Sequence, residues 1–148
     1  MTVFKFNLFA LFKLPSAWIT GVRVKEINEK FSITTVKYRW INQNPFRSMF
    51  WAVQGMAAEL STGSLIINSI IKSNKKISML VIKNKSEFFK KATGRILFKC
   101  SQGEEVERII NQVIETSKPR VINMSSIGTD EKGDKVSKFE FQWTILKK

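Results

Sequence analysis

The chain has 148 residues, 43% of them hydrophobic, which suits one domain with a real core. It contains no histidine and a single cysteine, Cys100. This excludes serine–histidine and cysteine–histidine nucleophile pairs, histidine-based metal sites, multi-cysteine zinc sites and an intramolecular disulfide. Proton chemistry then falls to Asp, Glu, Lys, Tyr or an ordered water. The formal net charge of +13 attracts polyanions such as nucleic acid, anionic lipid or phosphorylated small molecules. It fits a solvated Lys-rich surface equally well. The lysines are dispersed, as in SNKKIS and FKKATGR, and no nucleic-acid motif appears.

The N-terminal stretch MTVFKFNLFALFKLPSAW has a short apolar run between Lys5 and Lys13 and lacks a small-residue cleavage site. It is read as a helical segment of the fold at about 1–18, and the chain as one domain over 1–148. No apolar run approaches the roughly 18 residues needed to span a bilayer. Together with the lone cysteine this predicts a cytoplasmic protein.

GVRVKEINEKFSITTVKYRW alternates around a polar Asn28-Glu29-Lys30 and predicts a β-hairpin at about 21–28 and 31–40. Asn42, Asn44 and Pro45 break the second strand. Met49 to about Ser69 is rich in Ala, Met, Gln and Leu and apolar on nearly all sides, the pattern of a buried helix. Gly55 and Gly63 within it are tolerable where a neighbouring surface comes close. Two strands follow at about 77–89 and 93–101. An amphipathic helix at 104–115 carries Val106, Ile109, Ile110, Val113 and Ile114 on one stripe, with acids in its first turn. Two more strands flank the turn Asp130–Asp134. The order predicts an α+β fold with a mostly antiparallel sheet, curved so that it buries the long helix all round.

One residue stands against this pattern. Glu59 is the single carboxylate between Asn44 and Gly63. Burying an ionised carboxylate without partners costs several kcal/mol. It serves either as a catalytic group or as a structural acid, capped by polar neighbours such as Gln54 and Ser61 or facing a dimer interface.

The element order resembles the hotdog fold, in which a sheet wraps a central helix. The residues around Glu59 are similar to those of hotdog acyl-CoA thioesterases of the phenylacetate-degradation type. In that family an Asn precedes the helix, His-Gly-Gly opens it and an acid follows within it. Asn44 takes the Asn position, Phe50-Trp51-Ala52 stands where His-Gly-Gly would be, and Glu59 falls where the acid belongs. The resemblance extends over roughly residues 20–147 and includes thioesterase-like hotdog proteins of unassigned activity.

What the resemblance implies is hydrolysis of an acyl-CoA thioester. Glu59 would act as base or nucleophile, and Asn44 would position substrate or water. Phe50, Trp51 and Met56 would line the acyl pocket, and the Ala52 amide region would hold the oxyanion. Coenzyme A enters as part of the substrate, with no separate cofactor and no metal. Lys83, Lys85, Lys90, Lys91 and Arg95 are candidates for its phosphates. The family also implies a homodimer or a tetramer of dimers whose site draws on both subunits. The alternative is a non-catalytic acyl or lipid binder. It is favoured by the bulk of Phe50 and Trp51 where glycines would admit a carbonyl. Cys100 is expected to be a small apolar residue near a strand end.

Overall fold

A computed structural model describes residues 1–148. The chain runs α1 (Val3–Lys13), α2 (Pro15–Ile19), β1 (Arg23–Ile27), β2 (Ser32–Lys37), a 3₁₀ turn at Trp40–Asn42, and α3 (Trp51–Ser73). It continues through β3 (Ile77–Phe88), β4 (Arg95–Cys100), α4 (Gly103–Thr116), β5 (Arg120–Thr129) and β6 (Lys135–Lys147). The six strands form one sheet in the order β1-β2-β4-β5-β6-β3. Every pairing is antiparallel. The sheet curls round α3, which touches β1, β2, β4, β5 and β6. The predicted order of elements is the observed one. The N-terminal segment forms two helices rather than one, because Pro15 begins a new turn after Leu14.

Strand alternation sets the inner face. Phe139, Phe141, Trp143 and Ile145 of β6, Ile122 and Met124 of β5, and Ile96 and Phe98 of β4 point at α3 and are buried. Cys100 ends β4 fully buried on the same side. Burial pushes its thiol up to about 11. Glycine is obligatory at the start of α4. A Cβ on Gly103 would meet the Glu29 carbonyl oxygen at 1.9 Å. The Gly103 N–H donates to Lys30 O at 2.9 Å, so the β1–β2 turn and α4 touch backbone to backbone.

The buried face of β2 carries Ser32, Thr34 and Val36, while Ile33 and Thr35 are only partly covered. One sequence expectation needs correcting: α3 is not apolar on nearly all sides, for it buries Gln54, Ser61, Thr62 and Ser64. The two facts have one cause. Small residues on α3 let helix and sheet approach closely, and hydroxyls then bond across the gap. Thr34 Oγ1 donates to Ala57 O at 2.6 Å, Ser64 Oγ to Ser32 Oγ at 2.8 Å, and Ser61 and Ser126 hydroxyls lie 2.7 Å apart. Each satisfied pair contributes about 1 kcal/mol net, and an orphaned partner would cost more than that.

The amphipathic helix α4 buries Val106, Ile110 and Val113 against α3, β5 and β6. Its apolar stripe is fully used in packing. Gly55 and Gly63 sit under β6. A Cβ on Gly63 would lie 3.5 Å from the Trp143 ring, an ordinary contact, so close approach does not demand glycine there.

Candidate functional site

Glu59 lies midway along α3, on the flank that the sheet leaves open. There the helix borders a cavity of about 270 Å³. Its walls are mainly apolar. Phe9 comes from α1, Leu14 from the joint between α1 and α2, Met56 and Ile67 from α3, Met79 from β3 and Trp143 from β6. The cavity is close to the lower end of the roughly 300–1,000 Å³ range of small-molecule sites. Met56 and Glu59, two predicted site residues, therefore share one chamber.

The carboxylate has no hydrogen-bond or ion-pair partner in the chain. Beyond the helix's own bonds, Glu59 is engaged only at its backbone carbonyl, which accepts from Thr62 Oγ1 at 2.9 Å. Glu59 is exposed at the cavity mouth rather than buried, and the surrounding protein removes only part of its hydration. This desolvation raises its carboxyl above the ordinary glutamate range. Thr62 also accepts from Trp143 Nε1 at 3.1 Å, which fixes the indole wall beside the acid.

The structural reading of Glu59 offered Gln54 and Ser61 as capping partners, and neither serves. Gln54 Oε1 accepts from Ser137 Oγ at 2.8 Å, and Gln54 Nε2 points at Met49 O at 3.5 Å. Ser61 bonds to Ala58 O and to Ser126. Glu59 is held by no one.

The other predicted residues gather at the start of α3. Asn44, Phe50 and Trp51 line an open groove of about 570 Å³ with Phe88, Phe89 and Lys91. Asn44 organises the preceding loop: its Oδ1 accepts from the Phe46 and Ser48 amides, and its Nδ2 donates to Ser48 Oγ at 2.9 Å. The side chain of Phe50, the N-cap residue, makes no capping bond. The Trp51 and Ala52 amides have no acceptor within the chain, whereas those of Met49 and Phe50 are used by Ala92 O and Asn42 O. Two free N–H groups at the positive end of a 23-residue helix form an anion-stabilising corner.

The two regions are apart within one chain. Trp51 and Glu59 are separated by about 12 Å of helix at 1.5 Å per residue. A thioester carbonyl needs a donor and a base each about 3 Å away, which one protomer does not offer with these groups.

The candidate phosphate cations also disperse. Lys83 and Lys85 border a separate groove on β3, with Glu140 and Gln142. Lys90 is clamped by Asp130 at 2.7 Å and Asp134 at 3.0 Å. Arg95 reaches Thr35 Oγ1 at 3.1 Å. Lys90 and Lys91 both border the groove at the start of α3, Lys91 donating to Phe46 O at 3.3 Å.

Sequence reasoning missed the cavity walls contributed by Phe9, Leu14, Ser16 and Ala17, and those from Met79 and Trp143. The available signal was the apolar character of the N-terminal segment.

Comparison with solved structures agrees with this architecture. A protein of Pseudomonas aeruginosa described as a probable thioesterase superposes with a TM-score of 0.83 at 16% identity, covering 97% of this chain and 95% of its own. A protein of unknown function from Chlorobaculum tepidum gives 0.84 at 18%, covering 97% and 93%. A thioesterase of Haemophilus influenzae gives 0.74 at 9%, covering 99% and 92%. At such identities the likeness establishes the fold: a hotdog, with a curved antiparallel sheet around a long central helix. No curated protein matches the sequence. The model of one family matches residues 4–145, nearly the whole chain, and the protein accordingly belongs to the family described as Domain of unknown function (DUF4442).

Proposed function

We propose that the protein is a thioesterase of the hotdog type that hydrolyses an acyl-CoA. The observation that carries this reading is Glu59, an unpartnered carboxylate with a raised pKa at the mouth of an apolar cavity. The acyl chain lies against Met56 and the cavity wall. Glu59 removes a proton from water, and the resulting hydroxide attacks the thioester carbonyl carbon. The oxyanion is held by the free Trp51 and Ala52 amides. Collapse breaks the carbon–sulfur bond, and the proton passes to the departing coenzyme A thiolate. Direct attack by Glu59 would give an acyl anhydride that water then opens, with the same products.

Because donor and base are distant in one chain, the reading requires a second copy. β3 is an edge strand with its outer backbone groups unpaired. Two copies joined there around a two-fold axis set their α3 helices antiparallel. The amide corner and Asn44 of one then approach Glu59 of the other. This gives Asn44, Phe50 and Trp51 a place beside the substrate.

The test is thiol release from a panel of acyl-CoAs. Glu59→Gln keeps the shape and removes the base, so turnover should fall about 10²–10⁴-fold. Unchanged turnover removes Glu59 from the mechanism.

A second reading, a non-catalytic acyl binder, draws on one observation. Phe50 and Trp51 meet edge-to-face with ring centroids 6.2 Å apart, placing bulk at the amide corner. Native mass spectrometry separates the readings. A retained fatty acid, with no hydrolysis across the panel, favours the binder.

A further inference from the structure

The helix α1 has two apolar faces, and only one is used. Phe6 and Ala10 are buried against the fold, and Phe9 walls the Glu59 cavity. The helix is fastened by Asn7, whose side-chain amide exchanges two 2.9 Å hydrogen bonds with the backbone of Val24 on β1. Phe4, Leu8, Leu11 and Phe12 recur at helical spacing on the opposite side. Phe4 is 74% and Phe12 71% exposed, and Ile19 of α2 adds a further open side chain at 62%. A contiguous apolar stripe of this kind on a fixed helix marks an interaction surface.

Charge selects the partner. Lys5 and Lys13 are exposed at either end of the stripe, and the first acidic residue of the chain is Glu26. No carboxylate of the N-terminal segment opposes an anionic surface, and the whole molecule carries +13. The helix is 11 residues long, and no helix is long and apolar enough to cross a membrane. A short helix with outward Phe and Leu flanked by lysines lies flat at the boundary between headgroups and acyl chains.

We infer that α1 docks the protein on an anionic lipid bilayer through Phe4, Leu8, Leu11 and Phe12, with Lys5 and Lys13 contacting headgroups. Docked in this way, the molecule turns the roof of its apolar cavity toward the lipid.

The test is co-sedimentation of the full chain with phosphatidylcholine vesicles, with and without phosphatidylglycerol. Wild type should pellet with the phosphatidylglycerol vesicles at low salt, remain in solution with phosphatidylcholine alone, and be released as salt rises. The double variant Phe4→Gln/Phe12→Gln should keep its melting temperature and partition at least about tenfold less. The variant Lys5→Gln/Lys13→Gln retains the apolar stripe and should bind more weakly with a shallower salt dependence. It serves as the deciding variant if the aromatic pair fails to fold. Three results would overturn the inference: wild type free in solution with anionic vesicles at low salt, binding unchanged in both variants, or lipid-free light scattering in which wild type is a larger assembly than the aromatic variant. The last would assign the stripe to contact between copies. Vesicle binding is read without turnover, so it stands or falls apart from the proposed hydrolysis.

Discussion

Glu59 is a residue whose surroundings oppose its charge. Its carboxyl is raised by desolvation, and no cation or donor compensates. The sign of its effect on stability follows directly. When the folded state holds its proton more tightly than the unfolded chain does, stability falls as pH rises through the folded pKa. Ionised Glu59 thus works against folding at neutral pH, and the cost disappears below the ordinary glutamate range. Glu59→Gln should melt at a higher temperature than wild type at pH 7, with the difference closing near pH 4. Paired thermal melts across that range check it, and a variant that melts lower at pH 7 would mean Glu59 has a hidden partner. The importance of this acid was legible in the sequence because it stands alone in a run of apolar and small residues. Its chamber was not. Phe9, Met79 and Trp143 are far apart in the chain and meet only through the sheet topology, which no local pattern encodes.

At the scale of elements, the contrast between two glycines is instructive. Gly103 opens α4 against the backbone of the β1–β2 turn, where nothing can move aside. Gly103→Ala should cost about 3 kcal/mol or more, by overpacking backbone against backbone. Gly63 lies inside α3 with room for a methyl group. Gly63→Ala should stabilise by up to about 1 kcal/mol through helix propensity, while slightly narrowing the cavity. Urea denaturation of the two variants beside wild type measures both signs at once. The helices themselves were readable: α4 from its apolar stripe and first-turn acids, α3 from its length and composition. The inward hydroxyls of Ser32 and Thr34 were not. Alternation reports hydrophobicity, and these positions are buried through hydrogen bonds to α3 that depend on its small residues.

For the whole molecule, the decisive feature is an unfinished edge. β3 has 12 residues and pairs on one side with β6 along its length except at a bulge at Ile82, and its first half exposes Leu80 and Ile82. An unpaired edge whose first half is apolar is a template for another strand, while Lys83 and Lys85 confine that contact to the first half. Sedimentation should give twice the chain mass of 17.1 kDa for wild type. The variant Leu80→Lys/Ile82→Lys should run as a monomer and lose hydrolysis with it, since the amide corner and Glu59 then belong to no common site. A monomeric wild type would remove the shared-site mechanism. The α+β order and the wrapped helix were legible because each element carries its own period. Which copy would supply each half of the proposed site was not, because a sequence motif gives only spacing along the chain.

The inert thiol at the end of β4 has a practical consequence. Cys100 is sealed from solvent, and its proton is retained until well above neutral pH. An alkylating reagent therefore finds the sulfur only when β4 separates from its neighbours. The modification rate in native buffer becomes a clock for opening of the core, readable by intact-mass measurement and needing no engineered probe.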